Sequence, residues 1–208
     1  MDKPTSFDFP ILILAAGQSR RMRGADKLVE EVDGVPLLRR QARNARAATT
    51  GRVVVTLPPA PHPRHDLLSA LDVERLPVPD AEEGISASLR SGVAALEDAP
   101  VLMILLSDLP ELTENDLRRV MAAVDLGSDT LIWRGATVDG KPGHPIVIRK
   151  SLYDGFLGLD GDNGGRDILS ARRHKMHLVK LAGERALRDL DTPEDWSEWR
   201  AEKAASQV

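Results

Sequence analysis

The sequence contains no cysteine and very few aromatic residues. Without cysteine the chain has no disulfides, no thiolate nucleophile and no cysteine-ligated zinc or iron–sulfur cluster, so any metal must be held by oxygen or histidine ligands. Three tryptophans and one tyrosine provide no platform for stacking bases, and a formal net charge of -4 provides no broad positive field. These absences argue against nucleic-acid binding.

Long hydrophobic runs are also missing. No apolar stretch approaches the roughly 20 residues that a helix needs to cross a bilayer. The first residues lack the charged-then-apolar pattern of a signal peptide. We therefore expect a cytoplasmic protein that has no membrane partner. A chain of 208 residues with 42% hydrophobic and 29% charged residues suits a single α/β domain over residues 1–208.

Strand-like apolar runs alternate along the chain with segments of helical periodicity, which is typical of βαβ units and of a mostly parallel sheet. Capping patterns predict helix starts at Thr113, Ser151 and Thr192. The predicted strands cover residues 11–15, 52–57, 73–76, 101–106, 130–134, 145–149, 177–180 and 188–190, and two of the predicted helices cover residues 36–48 and 86–96.

Residues 11–27, ILILAAGQSRRMRGADK, form a hydrophobic strand that leads into a loop of small and cationic residues. Small residues let backbone N–H groups approach an anion, and arginine and lysine neutralise the charge that remains. The spacing matches neither a P-loop nor the dinucleotide fingerprint. We interpret the segment as a polyphosphate-binding loop. The alternative is an ordinary turn with a solvated basic face.

A carboxylate follows directly after the most apolar strand, in the sequence Ser107-Asp108-Leu109-Pro110. Ligands of open α/β sheets bind at the carboxyl ends of strands, and carboxylate oxygen is a ligand that Mg²⁺ prefers. The sequence therefore predicts that Asp108 holds Mg²⁺ against substrate phosphates, with a turn or helix cap as the alternative. Asp191 either completes this metal site or caps the last helix.

Three further loops are candidates for ligand contacts. Residues 79–89 bring a glycine turn and hydroxyl groups to a helix start, where they could contact a base or a ribose. His144 stands in a tightly shaped Gly-His-Pro turn, and the glycine-rich residues 160–167 end near Arg166. The structural alternatives are helix capping, a structural histidine and a surface loop.

In chain order these motifs resemble the nucleotidyltransferases that act on the molybdenum cofactor, and among them the cytidylyl-transferring branch. The resemblance covers almost the whole chain and depends on residues 14–27, 84–88, 107–110, 143–145 and 189–195. It implies a three-layer α/β/α fold with an open, mostly parallel sheet of the nucleotide-diphospho-sugar-transferase, Rossmann-like type.

The resemblance also implies a Mg²⁺-dependent reaction that transfers CMP from CTP to the terminal phosphate of molybdopterin and releases pyrophosphate. The implied partners are CTP or GTP, a molybdopterin-type cofactor, and a molybdoenzyme or its chaperone as the recipient. Two alternatives stay open. One is a sibling nucleotidyltransferase that uses GTP or another acceptor, and the other is a non-catalytic nucleotide-binding or cofactor-binding module.

The resemblance assigns a role to individual residues. Arg21 and Lys27 would hold the phosphates, and Asp108 would ligate Mg²⁺ with Asp191 as a second candidate. The residues implied to lie against the nucleotide are Leu14, Ala15, Ala16, Gly17, Ser19, Asp80, Gly84, Ser86 and Ser88, and those implied on the acceptor side are Gly143, His144 and Arg166.

The basic loop departs from the family pattern in one place. Arg23 stands between the methionine and the glycine, so the loop is one residue longer and Arg21 and Arg23 compete for the arginine role. Guanylyl-transferring relatives tend to have two glycines where this chain has Ala16-Gly17. This difference favours the cytidylyl branch.

Overall fold

A computed structural model describes residues 7–161 and 164–205. Two residues of the predicted glycine-rich loop, Asp162 and Asn163, lie outside this part of the chain. The strands are β1 (Ile11–Leu14), β2 (Glu31–Val32), β3 (Val35–Pro36), β4 (Val53–Leu57), β5 (Glu74–Pro77), β6 (Val101–Leu106), β7 (Ile132–Ala136), β8 (Pro142–Arg149) and β9 (Met176–Lys180). The α-helices are α1 (Leu37–Ala48), α2 (Arg64–Leu67), α3 (Ile85–Ala95), α4 (Glu114–Ala122), α5 (Tyr153–Leu157), α6 (Arg166–Ala171) and α7 (Pro193–Ala205).

The central sheet of the described residues has seven strands in the order β5-β4-β1-β6-β8-β7-β9. Strands β5, β4, β1 and β6 run parallel to one another. Strand β8 is antiparallel to both of its neighbours, and β9 pairs parallel with β7. The predicted open, mostly parallel sheet is therefore confirmed, with one reversed strand. Strands β2 and β3 form a separate antiparallel ribbon, which the sequence did not predict.

Both faces of the sheet are covered, which explains why its strands are continuous hydrophobic runs. Side chains alternate between the faces of a strand. Ile11 and Ile13 of β1 therefore join the core that includes residues of α1, α4 and α7, whereas Leu12 joins the core that includes residues of α3 and α5. Helix α3 packs closely on β1, since a Cβ on Gly92 would lie 2.3 Å from a methyl carbon of Leu12. The fold is thus a three-layer α/β/α arrangement.

The start of α4 and the start of α7 were predicted correctly. Thr113 and Asp116 form a reciprocal capping box at the first, and the Asp195 amide donates to Thr192 Oγ1 (3.1 Å) at the second. The prediction at Ser151 was wrong, because a 3₁₀ turn over Lys150–Leu152 comes first and α5 begins at Tyr153.

The strand predicted over residues 188–190 is absent from the described structure. This segment crosses the end of the sheet and does not lie beside a strand. The Leu190 amide donates to the Asp108 carbonyl (3.3 Å), and no ladder forms because the Asp189 amide turns back to Leu187 (2.9 Å). None of the helices in residues 7–161 and 164–205 has the length and apolar character needed to cross a bilayer.

Candidate functional site

A cavity of about 470 Å³ lies at the carboxyl ends of β1 and β6. The loop after β1, the beginning of α3, the end of β6 and the segment before α7 all contribute to its wall. The predicted site residues that line it are Leu14, Ala15, Ala16, Gly17, Ser19, Arg21, Lys27, Gly84, Ser88, Asp108 and Asp191. Segments that are far apart in the sequence therefore meet in one place, as expected for the carboxyl edge of an open α/β sheet.

The loop after β1 exposes its backbone to the cavity. A Cβ on Gly17 would meet no heavy atom within 4 Å, so the space in front of this residue is open. Beyond it the chain forms a 3₁₀ turn over Arg20–Met22, with Met22 buried at 3% exposure as its apolar anchor. Small side chains and a fixed turn leave room for a ligand to approach the main chain.

The two competing arginines of the loop point in different directions. Arg21 Nη2 lies 2.8 Å from Asp191 Oδ2 and the side chain lines the cavity. Arg23 has a left-handed backbone, φ 54°, and its guanidinium pairs at 2.8 Å with the exposed Glu194 of α7. Of these two arginines, Arg21 therefore lies at the cavity, whose lining also includes Arg20.

The beginning of α3 is a second wall of the cavity. Gly84 precedes the helix with φ 102°, a backbone conformation that favours glycine, and Ser88 lies on the first turns. The positive end of the helix dipole adds partial positive charge to this wall. The structure does not bring the other two predicted residues into the lining. Asp80 is exposed, and Ser86 is fully buried with Oγ 3.5 Å from the Asp160 carbonyl oxygen.

Three carboxylates form a cluster beside Lys27, and two of them, Asp108 and Asp191, line the cavity. Asp108, Asp189 and Asp191 each place one oxygen so that all three oxygens lie within 4.8 Å of one another. Asp108 Oδ1 is buried and has no hydrogen-bond partner among the residues that the structure describes. Hard oxygen ligands in this arrangement fit a divalent cation. Asp189 was not assigned from the sequence, and the signal that could have found it is its position two residues before Asp191.

Lys27 bridges two of these carboxylates. Its Nζ lies 2.5 Å from Asp108 Oδ2 and 2.6 Å from Asp191 Oδ1. Burial by itself would lower the pKa of Lys27, but the two carboxylates outweigh it and raise that pKa. Lys27 therefore carries its charge at neutral pH.

The pKa values of Asp189 and Asp191 are shifted in opposite directions. Burial and the nearby charges of Asp191 and Asp108 raise the pKa of Asp189. Burial also opposes ionisation of Asp191, but the hydrogen bond and charge of Lys27, supported by Arg21, lower its pKa. The cluster thus combines a firmly ionised carboxylate with one that is easier to protonate.

Local hydrogen bonds hold the cluster in place. Ser107 Oγ donates to the Leu14 carbonyl (2.6 Å) and ties the ends of β6 and β1 together. Asp195 Oδ2 accepts from the amides of Asp191 (3.1 Å) and Thr192 (2.8 Å), which combines capping of α7 with positioning of Asp191. Asp191 therefore lies beside the cap and does not form it.

A second cavity of about 450 Å³ adjoins the first and shares Leu14, Ile85 and Leu106 with it. Predicted residues His144 and Arg166 line it. The sequence did not single out the other two arginines in its wall, Arg134 and Arg173; the rest of the lining is mostly apolar, including Leu89, Ile104, Ile146, Phe156 and Met176.

Two of the acceptor-side residues differ in environment. Burial, with a smaller contribution from the Arg134 charge, lowers the pKa of His144 from 6.5 to about 4, so its ring is neutral at pH 7. Gly143 lies outside the lining of this cavity. A Cβ there would lie 2.0 Å from the Ala186 carbonyl oxygen, so glycine is needed for close backbone packing.

The sheet order and the cavity at its carboxyl edge are those of the nucleotide-diphospho-sugar transferase fold. The chain belongs to the MobA-like NTP transferase domain family, whose model matches residues 11–177. Among curated proteins it is similar to the bifunctional protein GlmU of Burkholderia ambifaria, with 29% identity over 148 residues. The aligned part is 71% of this chain and 32% of that protein, so the chain spans about a third of this relative.

Among solved structures, Rv0371c from Mycobacterium tuberculosis has a TM-score of 0.78 and 26% identity, over 94% of this chain and 98% of that one. The same protein solved with manganese gives a TM-score of 0.74 at 24% identity, over 92% and 97%. A CMP:2-keto-3-deoxy-manno-octonic acid synthetase complexed with CTP gives 0.71 at 13% identity, over 95% and 99%. The last two likenesses concern the fold alone.

Proposed function

We propose that this protein transfers CMP from CTP to the terminal phosphate of molybdopterin. The observation that carries the proposal is the cavity lined by Lys27, Arg21, the beginning of α3 and two carboxylates of the Asp108, Asp189 and Asp191 cluster. Membership of the MobA-like NTP transferase family supports a nucleoside triphosphate as the donor. The Ala16-Gly17 pair supports cytidine over guanosine.

The triphosphate would lie along the loop after β1. Exposed backbone at Gly17 lets the phosphates approach closely, and Arg21 and Lys27 provide the positive charge. The base and ribose would contact Gly84, Ile85 and Ser88 at the beginning of α3. An incoming triphosphate competes with Asp108 and Asp191 for the Lys27 ammonium.

A divalent cation, for which we propose Mg²⁺, fits the three carboxylates because Asp108 has a buried oxygen without a partner in the described part of the chain. Asp108, Asp189 and Asp191 would hold it. When bound, such a cation neutralises phosphate charge and polarises the phosphoryl group. The manganese bound to Rv0371c supports a divalent cation here.

The acceptor would occupy the second cavity. Arg134, Arg166 and Arg173 match an anionic group, and the apolar wall matches the body of an organic molecule. An oxygen of the acceptor phosphate attacks the α-phosphorus, a new P–O bond forms, and the bond to the β-phosphate breaks with its electron pair leaving on pyrophosphate. Lys27 and Arg21 offset the repulsion between the two anions.

The proposed reaction needs no general base, because a phosphate is already ionised at pH 7. Neutral His144 is therefore a group that orients the acceptor and not one that accepts its proton. The presence of Lys27 and Asp108 together in one cluster favours an enzyme over a pure binding module.

The test is pyrophosphate release by the purified protein from CTP, GTP, ATP and UTP, with and without molybdopterin and with Mg²⁺ or Mn²⁺. We expect CTP to be preferred over GTP by about 10²-fold in kcat/KM, a little under 3 kcal/mol. Equal or better use of GTP would favour the sibling nucleotidyltransferase. Binding of a triphosphate without turnover under any condition would favour the non-catalytic module.

A further inference from the structure

Arg64 opens the short helix α2, after the proline-rich residues 58–63, and is 1% exposed. Each of its five guanidinium N–H groups has an acceptor. Nη1 donates to the carbonyls of Ala15 and Gly17 (both 2.7 Å), and Nη2 donates to Ser19 Oγ (3.0 Å) and Asp26 Oδ1 (2.7 Å). Nε donates to Asp26 Oδ2 (2.7 Å). A single buried side chain thus contacts the loop at four residues.

The two carbonyl contacts set the direction of the neighbouring amides. The peptides after Ala15 and Gly17 are trans, and in a trans peptide the N–H points opposite to the C=O. With both carbonyls directed at Arg64, the N–H groups of Ala16 and Gln18 point to the other side of the loop. Both residues line the cavity. By holding these two carbonyls, Arg64 therefore orients the N–H groups of Ala16 and Gln18 toward the cavity.

The contact with Asp26 extends this control to the far end of the loop. Asp26 Oδ1 also accepts from Ser19 Oγ (3.1 Å) and from the Leu28 amide (3.0 Å). Ser19 precedes the 3₁₀ turn and Leu28 follows Lys27, so Asp26 connects the two ends of the loop. Burial would raise the pKa of Asp26, but its hydrogen bonds and the charge of Arg64 lower it, so the paired carboxylate is ionised at neutral pH. The base of the Lys27 side chain is consequently tied to the same guanidinium as the start of the loop.

We propose that Arg64 is a positioning residue. It holds the loop after β1, its backbone amides and Lys27 in the conformation that binds a nucleoside triphosphate, and Arg64 itself does not contact this ligand. This inference rests on the proposed function for the identity of the ligand. Lysine is a poor replacement, because three donors on a flexible stem cannot serve five acceptors in a planar fork.

The test compares Arg64→Lys and Asp26→Asn with the control Arg39→Lys. Arg39 Nη1 donates to the carbonyls of Leu67 (2.7 Å) and Ser69 (3.1 Å), so it holds the same chain segment through hydrogen bonds that do not involve the loop. CTP affinity is measured by calorimetry, loop mobility by amide hydrogen exchange over residues 15–19, and donor and acceptor KM by pyrophosphate release.

We expect Arg64→Lys to weaken CTP binding by about tenfold or more, which is about 1.4 kcal/mol, and to speed exchange over residues 15–19. The acceptor KM should stay within about twofold, and Arg39→Lys should leave CTP affinity unchanged. A purely structural role would instead lower the unfolding midpoint and the active fraction with the same CTP affinity per folded molecule.

Wild-type CTP affinity and loop exchange in Arg64→Lys would overturn the inference and leave the proposed function standing. If the wild-type protein binds no triphosphate, the proposed function fails, and the exchange data still test the preset loop. Should Arg64→Lys not fold, Asp26→Asn decides the matter, because it keeps the guanidinium but removes the carboxylate charge and replaces one of the two accepting oxygens by an NH2 donor. Unchanged CTP affinity in a folded Asp26→Asn protein would also refute the inference.

Discussion

Replacement of Asp108 by asparagine tests the proposed metal site with little effect on the stability of the fold. The change keeps the size of the side chain and removes one negative charge from a group of three carboxylates that faces Lys27 and Arg21. Without a divalent cation the variant loses the attraction of Lys27, and it also loses repulsion from Asp189 and Asp191. These effects oppose each other, so we expect the metal-free unfolding midpoint to change by only about 2–4 °C, equivalent to about 1 kcal/mol for a chain of this size.

The cation-loaded protein should behave differently. A cation present at 100 times its dissociation constant stabilises the wild-type protein by about 2.7 kcal/mol, or roughly 5–10 °C. If loss of the Asp108 carboxylate weakens the cation tenfold to a hundredfold, the stabilisation falls to about 1.4 or 0.4 kcal/mol. Turnover should fall by at least about 10²-fold, which is the scale of removing a main electrostatic element.

The assay is a melting curve of each protein at rising Mg²⁺ and Mn²⁺, followed by pyrophosphate release at saturating cation. Asp139→Asn is the matched control, because it makes the same change at an exposed carboxylate in the turn between β7 and β8. An Asp108→Asn protein with a wild-type metal-dependent shift and wild-type turnover would show that Asp108 is not a metal ligand.

Further predictions concern the cations of the loop and the buried histidine. Lys27→Ala should weaken CTP binding about tenfold more than CMP binding, because in the proposed function its ammonium contacts the outer phosphates, and equal losses by calorimetry would contradict this. Arg21→Ala should weaken CTP binding more than Arg23→Ala, since Arg23 pairs with Glu194 away from the cavity; the reverse order would transfer the role to Arg23. The pKa of His144 is lower in the folded state than in the unfolded state. The neutral ring therefore contributes its full stability above about pH 6.5, and this contribution is lost as the pH falls toward 4. The loss is at most about 3 kcal/mol, less where solvent reaches the ring, and urea unfolding of His144→Gln at pH 7 and 5 should show a smaller decrease than the wild-type protein. An identical decrease would refute it.

Continuous hydrophobic runs and capping residues were enough to predict most of the sheet. Residues 101–106 coincide with β6, and residues 36–48 differ from α1 by one residue, because both depend on local sequence and on burial from two faces. The position of Asp108 followed from the same reasoning, since a polar residue directly after a buried parallel strand lies at the sheet edge.

Contacts between distant segments could not be read from the sequence. Lys27 and Asp191 are 164 positions apart and meet only because residues 188–190 cross the sheet end and do not add a strand. Arg64 carried no signal either, because a lone arginine after prolines is typical of a surface. Here two loop carbonyls, the Ser19 hydroxyl and the two oxygens of Asp26 provide the five acceptors that allow its burial. Local propensity and hydrophobic pattern thus determined the helices and strands and the residue types at their ends. The pairing of charges in the site depended on long-range packing, because a hydrogen bond requires two groups to be close in space, whatever their spacing along the chain.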